Sequence, residues 1–131
     1  TTLQEMQFGA DVIFTGHLEQ AQLCNVLGGA LALVYVSYFE GFGVPIVEAF
    51  QSGVPVITSN VTAMPEVAGD AAVLVDPFSV EEIAKAMERI SSDESLRNQC
   101  IELGLKRASS FDWDQSAERF WRVIEMTVSQ K

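Results

Sequence analysis

The stretch from Leu31 to Gln51 constrains the fold more than any other part of this chain. Leu31 to Val36 is a short apolar run that reads as a buried strand. Glu40-Gly41-Phe42-Gly43 follows, with a glycine on each side of Phe42. A helix signal then begins at Val44, with Pro45 close to the first helical position, where a missing N–H costs nothing. Strand, glycine loop and helix N-terminus is the layout in which backbone N–H groups and the helix dipole receive an anion. Yet two carboxylates, Glu40 and Glu48, bracket it.

The flanking segments repeat the alternation of strand and helix. Asp11 to Gly16 is an apolar run closed by glycine and is expected to be a buried parallel strand. Glu19 to Leu27 reads as a helix, with Leu23, Val26 and Leu27 on one side and Gly28-Gly29 as its stop. Pro55 to Thr58 is a third strand, starting at a proline as a strand can. Met64 to Ala68 is a short helical turn, and Ala72 to Asp76 a fourth strand cut by Pro77. Residues 1–10 show no period and read as a loop.

From Ser79 the pattern becomes helical throughout. Ser79-Val80-Glu81-Glu82 is a capping box ahead of an apolar stripe through Ile83, Met87 and Ile90. A helix over about residues 94–108 turns Leu96, Cys100 and Leu103 inward, and Asp112 opens another. That last helix gathers Trp113, Phe120 and Trp121 on one face. Core packing is the default expectation for such a face, and an interface left open is the alternative. Together these elements predict an α/β fold: a Rossmann-like parallel sheet of about four strands flanked by helices, with a helical C-terminal tail. A layer that thin is incomplete for a fold of this kind.

Charge narrows the function classes. Residues 1–84 carry ten acids and no Lys or Arg, whereas residues 85–131 carry eight acids and all eight Lys and Arg. A nucleic-acid surface needs cations gathered on one face, so nucleic-acid binding is excluded. No window reaches the roughly 18 consecutive apolar residues of a membrane helix, and the first residues lack the basic and apolar regions of a signal peptide. With no initiator Met, the chain is expected to be a fragment or a processed product. Cys24 and Cys100 have no motif spacing, which suits small buried thiols in a reducing, cytosolic compartment. No cluster of His, Cys, Asp and Glu proposes a metal site.

Glu48 is the residue that calls for explanation. The helix after Gly43 is apolar nearly all round, and an unpaired carboxylate on a buried helix costs several kcal/mol or takes up a proton. The first Lys or Arg is Lys85, far along the chain. Either amides at the start of its own helix hold Glu48, or a group outside the chain does; a ribose diol would suit it.

Glu40 to Ala49 resembles the Glu-x7-Glu signature of the family 4 (group 1) retaining glycosyltransferases, which have the two-domain GT-B fold. The resemblance extends through Phe14-Thr15-Gly16-His17, Val36-Ser37, Ser52 to Ile57, Met64 to Ala72 and Val75-Asp76-Pro77. It implies that the chain is the partial C-terminal, donor-binding domain (residues 1–131) of an enzyme whose N-terminal acceptor domain is absent. The parent would move a sugar, mannose or glucose, from a GDP- or UDP-sugar to an acceptor hydroxyl with retention, in polysaccharide or glycoconjugate synthesis. It further implies that Glu40, as the catalytic-site acid, lies at hydroxyls of the transferred sugar, and that Glu48 binds the ribose. By the same carry-over, the backbone of Gly41, Phe42 and Gly43 holds the sugar and distal phosphate. Val44 lies near the diphosphate, and Gly16 and His17 toward the base; for His17, a plain surface position is the alternative.

No cofactor is implied beyond this donor. Expected partners are a glycan or lipid-linked acceptor and the missing domain. The location is cytoplasmic, with peripheral association at the inner membrane face by family analogy. The cations that would neutralise the departing diphosphate belong in the family to segments upstream of this block. The isolated chain is therefore expected to bind a nucleotide diphosphate weakly and to transfer no sugar. The competing reading is a stand-alone Rossmann-like binding or interaction module without catalysis.

Overall fold

The computed structural model describes residues 5–129, so the first four residues of the expected N-terminal loop, and Gln130 and Lys131 at the other end, lie outside it. After a 3-10 turn at Gly9–Asp11 the elements are α1 (Gln20–Gly28), β1 (Leu33–Tyr35), α2 (Val44–Gln51), β2 (Val56–Ser59) and α3 (Met64–Ala68). They continue with β3 (Ala72–Val75), α4 (Val80–Ser92), α5 (Glu94–Ala108) and α6 (Trp113–Val128). The strands form one parallel sheet in the order β1-β2-β3, with Leu33 opposite Val56 and Val56 opposite Ala72.

Side chains alternate across a strand, and here the alternation builds a core on each face. Leu33, Tyr35, Val56 and Ala72 pack with Ile46, Ala49 and Phe50 of α2 and with Met64, Val67 and Ala68 of α3. Ile57, Val73 and Val75 face the other way, onto Ile83, Ala86 and Ile90 of α4. Helix α5 serves both layers, with Leu103 and Ala108 in the first and Leu96 and Cys100 in the second. All four residues of β2 are buried, as the central strand of a doubly covered sheet must be. Fully burying a side chain such as Phe50 or Ile46 contributes about 1.5–3 kcal/mol.

Helix α2 owes its position to two glycines. Gly43 caps it with φ at 98°, a left-handed conformation that costs other residues about 1–2 kcal/mol. Gly104, on α5, lets the two helices touch: a Cβ there would lie 2.8 Å from the Phe50 ring. Side-chain caps secure α4, α5 and α6. Ser79 Oγ accepts from the Glu82 amide at 3.2 Å and Asp112 Oδ1 from the Asp114 amide at 2.7 Å. The box expected at Ser79 is only half made, because the Glu82 carboxylate accepts from the Asp76 amide instead.

Three expectations need correction. Asp11–Gly16 is not a strand: Ile13 and Phe14 are 82% and 80% exposed, and the sheet has three strands among the described residues. Apolar composition marks a segment that could be buried, but a strand also needs an edge to pair with, and the chain does not bring this segment to β1. The last helix does not join the core. Trp113, Phe120 and Trp121 are exposed, and no residue of α6 is buried. Finally, Cys100 is buried, which pushes its thiol up from the usual range, whereas Cys24 is exposed.

Candidate functional site

In a parallel sheet, ligands bind beyond the carboxyl ends of the strands. Here that edge carries the loops after β1 (36–43), β2 (60–63) and β3 (76–79). Two buried hydroxyls of β2 tie down the first of these loops. Thr58 Oγ1 donates to the Tyr35 carbonyl at 2.8 Å, and Ser59 Oγ donates to the Ser37 carbonyl at 2.5 Å. Both hydroxyls lie on the fully buried strand, so the bonds also satisfy groups that would otherwise be costly to bury. The chain leaving β1 is thereby fixed before it reaches Glu40.

Glu40 is then oriented by its own neighbours. Its Oε1 accepts from the Tyr35 hydroxyl at 2.6 Å and from Ser37 Oγ at 3.1 Å. The Glu40 amide donates to Thr62 Oγ1 at 3.4 Å, linking the loops after β1 and β2. Thr62 itself has φ at 58°, uncommon for a β-branched residue, and such strain gathers at functional sites. The Tyr35 phenol is pushed up from its ordinary value by its bond to the Glu40 carboxylate, by burial and by the nearby negative charge. Tyr35 therefore remains a proton donor at neutral pH. Among the described residues no group donates to Glu40 Oε2.

Gly41, Phe42 and Gly43 continue the loop into the α2 N-terminus. A Cβ on Gly41 would meet nothing within 4 Å, so open space lies before that backbone. Phe42 is half-exposed, and Val44 is exposed at the first position of the helix.

Glu48 stands one turn further on, partly buried. It does not cap its own helix, since Gly43 occupies the cap and no side-chain cap bond is made. No described residue donates to its carboxylate, which lines a cleft of about 150 Å³ with Gln20, Leu23, Cys24, Leu27, Gln51 and Ser52. Of the two explanations for an acid on this helix, holding by its own N-terminal amides is thus removed.

The predicted residues are only partly gathered. Glu40, Gly41, Phe42, Gly43 and Val44 form one continuous edge, and Glu48 opens toward α1. Gly16 and His17 are exposed in the segment before α1, and no hydrogen bond joins them to the loop after β1 among the described residues. Sequence reasoning missed Tyr35 and Thr62 as supports for Glu40. Tyr35 had a usable signal, because a phenol inside an apolar strand needs a partner for its hydroxyl. Thr62, 22 residues away from Glu40, had none. No group of three or more metal-ligating side chains stands together, and no helix is long and apolar enough to cross a membrane, among the described residues.

The chain is similar to known proteins in sequence and in fold. The chain is 40% identical over 101 residues to the O-antigen chain mannosyltransferase B of Escherichia coli, a match covering 77% of this chain and 26% of that protein. It is 30% identical over 126 residues to a probable sucrose-phosphate synthase 2 of Oryza sativa, covering 92% of this chain and 13% of the relative. Among solved structures, a sucrose-phosphate synthase from Thermosynechococcus elongatus superposes with a TM-score of 0.84 at 27% identity. That match covers 99% of this chain and 33% of the other, so the chain spans a third or less of these proteins. The sheet and its covering helices are therefore part of a GT-B fold. Residues 2–107 match the family of glycosyl transferases group 1, and by that match, over most of its length, the chain belongs to this family.

Proposed function

We propose that the chain is the donor-binding part of a two-domain glycosyltransferase that moves a sugar from a nucleotide-diphosphate sugar to an acceptor hydroxyl with retention. The observation that carries this reading is the unpartnered Glu48 carboxylate, open to a cleft one helical turn beyond the glycine loop. A ribose diol would supply the donors that this chain does not. Glu40, held on one oxygen by Tyr35 and Ser37, would offer its other oxygen to hydroxyls of the transferred sugar. The Gly41–Gly43 backbone and the N-terminus of α2 would hold the phosphates, with Val44 beside them and Gly16 and His17 toward the base. Mannose is the favoured sugar, because several of the relatives are mannosyltransferases. The acceptor would be a glycan or a lipid-linked glycan, presented with the N-terminal domain at the cytoplasmic face of a membrane. No cofactor or metal enters this reading.

Titration of the chain with GDP-mannose and UDP-glucose, followed by amide NMR shifts, tests it. Shifts should concentrate on residues 40–44 and 48, with weak affinity. Glu48→Gln should weaken binding about tenfold or more, the worth of a hydrogen bond to a charged group. Shifts confined to other parts of the chain, or sugar transfer by the isolated chain, would overturn the assignment.

A further inference from the structure

Phe42 is the only side chain between Gly41 and Gly43, and hence the one side chain by which that loop itself can be gripped. Its ring meets Phe111 edge to face, with centroids 5.7 Å apart and planes at 89°. The Arg107 guanidinium in turn lies over the Phe111 ring, 4.9 Å from its centroid. The same guanidinium donates from Nε to the Val67 carbonyl at 3.0 Å and from Nη2 to the Glu66 carbonyl at 2.6 Å. It also donates from Nη1 to Ser110 Oγ at 3.3 Å. Glu66 and Val67 sit in the last turn of α3, where carbonyls have no partner within the helix. Met64, at the start of α3, is packed against Gly43: a Cβ on that glycine would come within 3.2 Å of Met64 Cε. No carboxylate lies within ion-pair distance of Arg107 among the described residues, so its hydrogen bonds go to neutral oxygens.

We infer that Arg107 is a positioning residue for the Gly41–Gly43 loop. It acts through Phe111 on Phe42 and through α3 and Met64 on Gly43. The assignment to donor binding rests on the function proposed above; the mechanical support does not. A planar fork is needed, since one group must cap two carbonyls and cover an aromatic ring at once, which an ammonium cannot do. A loop ordered in advance spares a ligand the cost of ordering it on arrival.

The test compares Arg107→Lys, which keeps the charge, and Arg107→Met, which keeps the stem, with Lys106→Met on the same helix. In the ligand-free chain, the ring-proton shifts of Phe42 and Phe111 and the amide order parameters of residues 41–43 are read by NMR. Both Arg107 variants should lose the ring-current shifts and drop the order parameters from about 0.85 to below about 0.6, while Lys106→Met leaves them unchanged. Should Arg107→Met fail to fold, Phe111→Leu cuts the ring contact alone and should loosen Phe42 in the same way. Unchanged shifts and order parameters in folded Arg107 variants would overturn the inference.

Affinity for GDP-mannose should fall about tenfold in Arg107→Lys. A loosened loop with unchanged affinity overturns the role in donor binding. A loosened loop in a chain whose wild type binds neither GDP-mannose nor UDP-glucose supports the mechanical role and removes the proposed function instead.

Discussion

Helices α2 and α6 each offer an apolar face and end in opposite places. Helix α2 buries Ile46, Val47, Ala49 and Phe50 between the sheet and α5. Helix α6 buries nothing, and holds Trp113 90% exposed and Trp121 59% exposed. Part of the difference is composition, because α2 is apolar nearly all round whereas α6 is apolar along one stripe only, aromatic though that stripe is. The rest lies in what each helix meets. Helix α2 follows β1 through a short loop whose capping glycine turns the chain back onto the sheet. Helix α6 leaves α5 after both sheet faces are already covered by α2, α3, α4 and α5. An amphipathic stripe states that a face is suited to burial; it does not provide the surface that covers it.

The comparison can be broken most decisively at its packed end. Phe50→Ala should cost about 3–5 kcal/mol, read as a lowered urea midpoint, because the ring is fully buried against Gly104 and the cavity cannot collapse. A loss below about 1 kcal/mol would mean that α2 is not docked as described. Gly43→Ala should come next, at about 1–3 kcal/mol, combining the left-handed strain with the close approach of Ile46 and Met64. It should also weaken any ligand bound at the loop, which calorimetry would detect.

Tyr35→Phe sharpens the contrast on the site side. Loss of the 2.6 Å bond to Glu40 should cost about 1 kcal/mol at neutral pH. The phenol has its pKa raised in the fold above its ordinary 10.0, so its stabilising effect is present in full below pH 10. It is lost as pH climbs through the raised folded value. Wild type should therefore lose stability in that alkaline range, and Tyr35→Phe should lose less; parallel melting curves against pH would contradict the bond. The smallest effect belongs to α6. Trp121→Ala should change stability by no more than about 0.5 kcal/mol, because the ring is mostly exposed and belongs to neither core. A large loss in thermal unfolding would show that α6 is packed after all.

Much of the architecture was legible along the chain because its signals are local. Helices α2, α3 and α5 begin and end close to where glycine, proline and periodicity put them, and Asp112 caps α6 as its type and place suggest. The runs at β1, β2 and β3 were recognisable because β-branched and apolar residues cluster there between turn residues. The segment at Asp11–Gly16 has the same composition and no strand, since composition carries no information about an available edge. At the site, Glu40, the glycine loop and Glu48 were visible from residue type and spacing. Their supports were not. Thr62 meets Glu40 across 22 positions, and Arg107 reaches α3 across 40 and 41.

The absence of Lys and Arg before Lys85 suggested a loop with no cation in reach. The fold returns Arg107 to the back of that loop, through Phe111. By itself, then, the sequence determined the alternation of strands and helices, the glycine-capped start of α2 and the carboxylates around it, because these depend on residues a few positions apart. Only the tertiary structure decided which apolar faces are covered, which oxygen of Glu40 is engaged and what lies behind Phe42. Those outcomes depend on groups that meet only after the chain has closed over long separations.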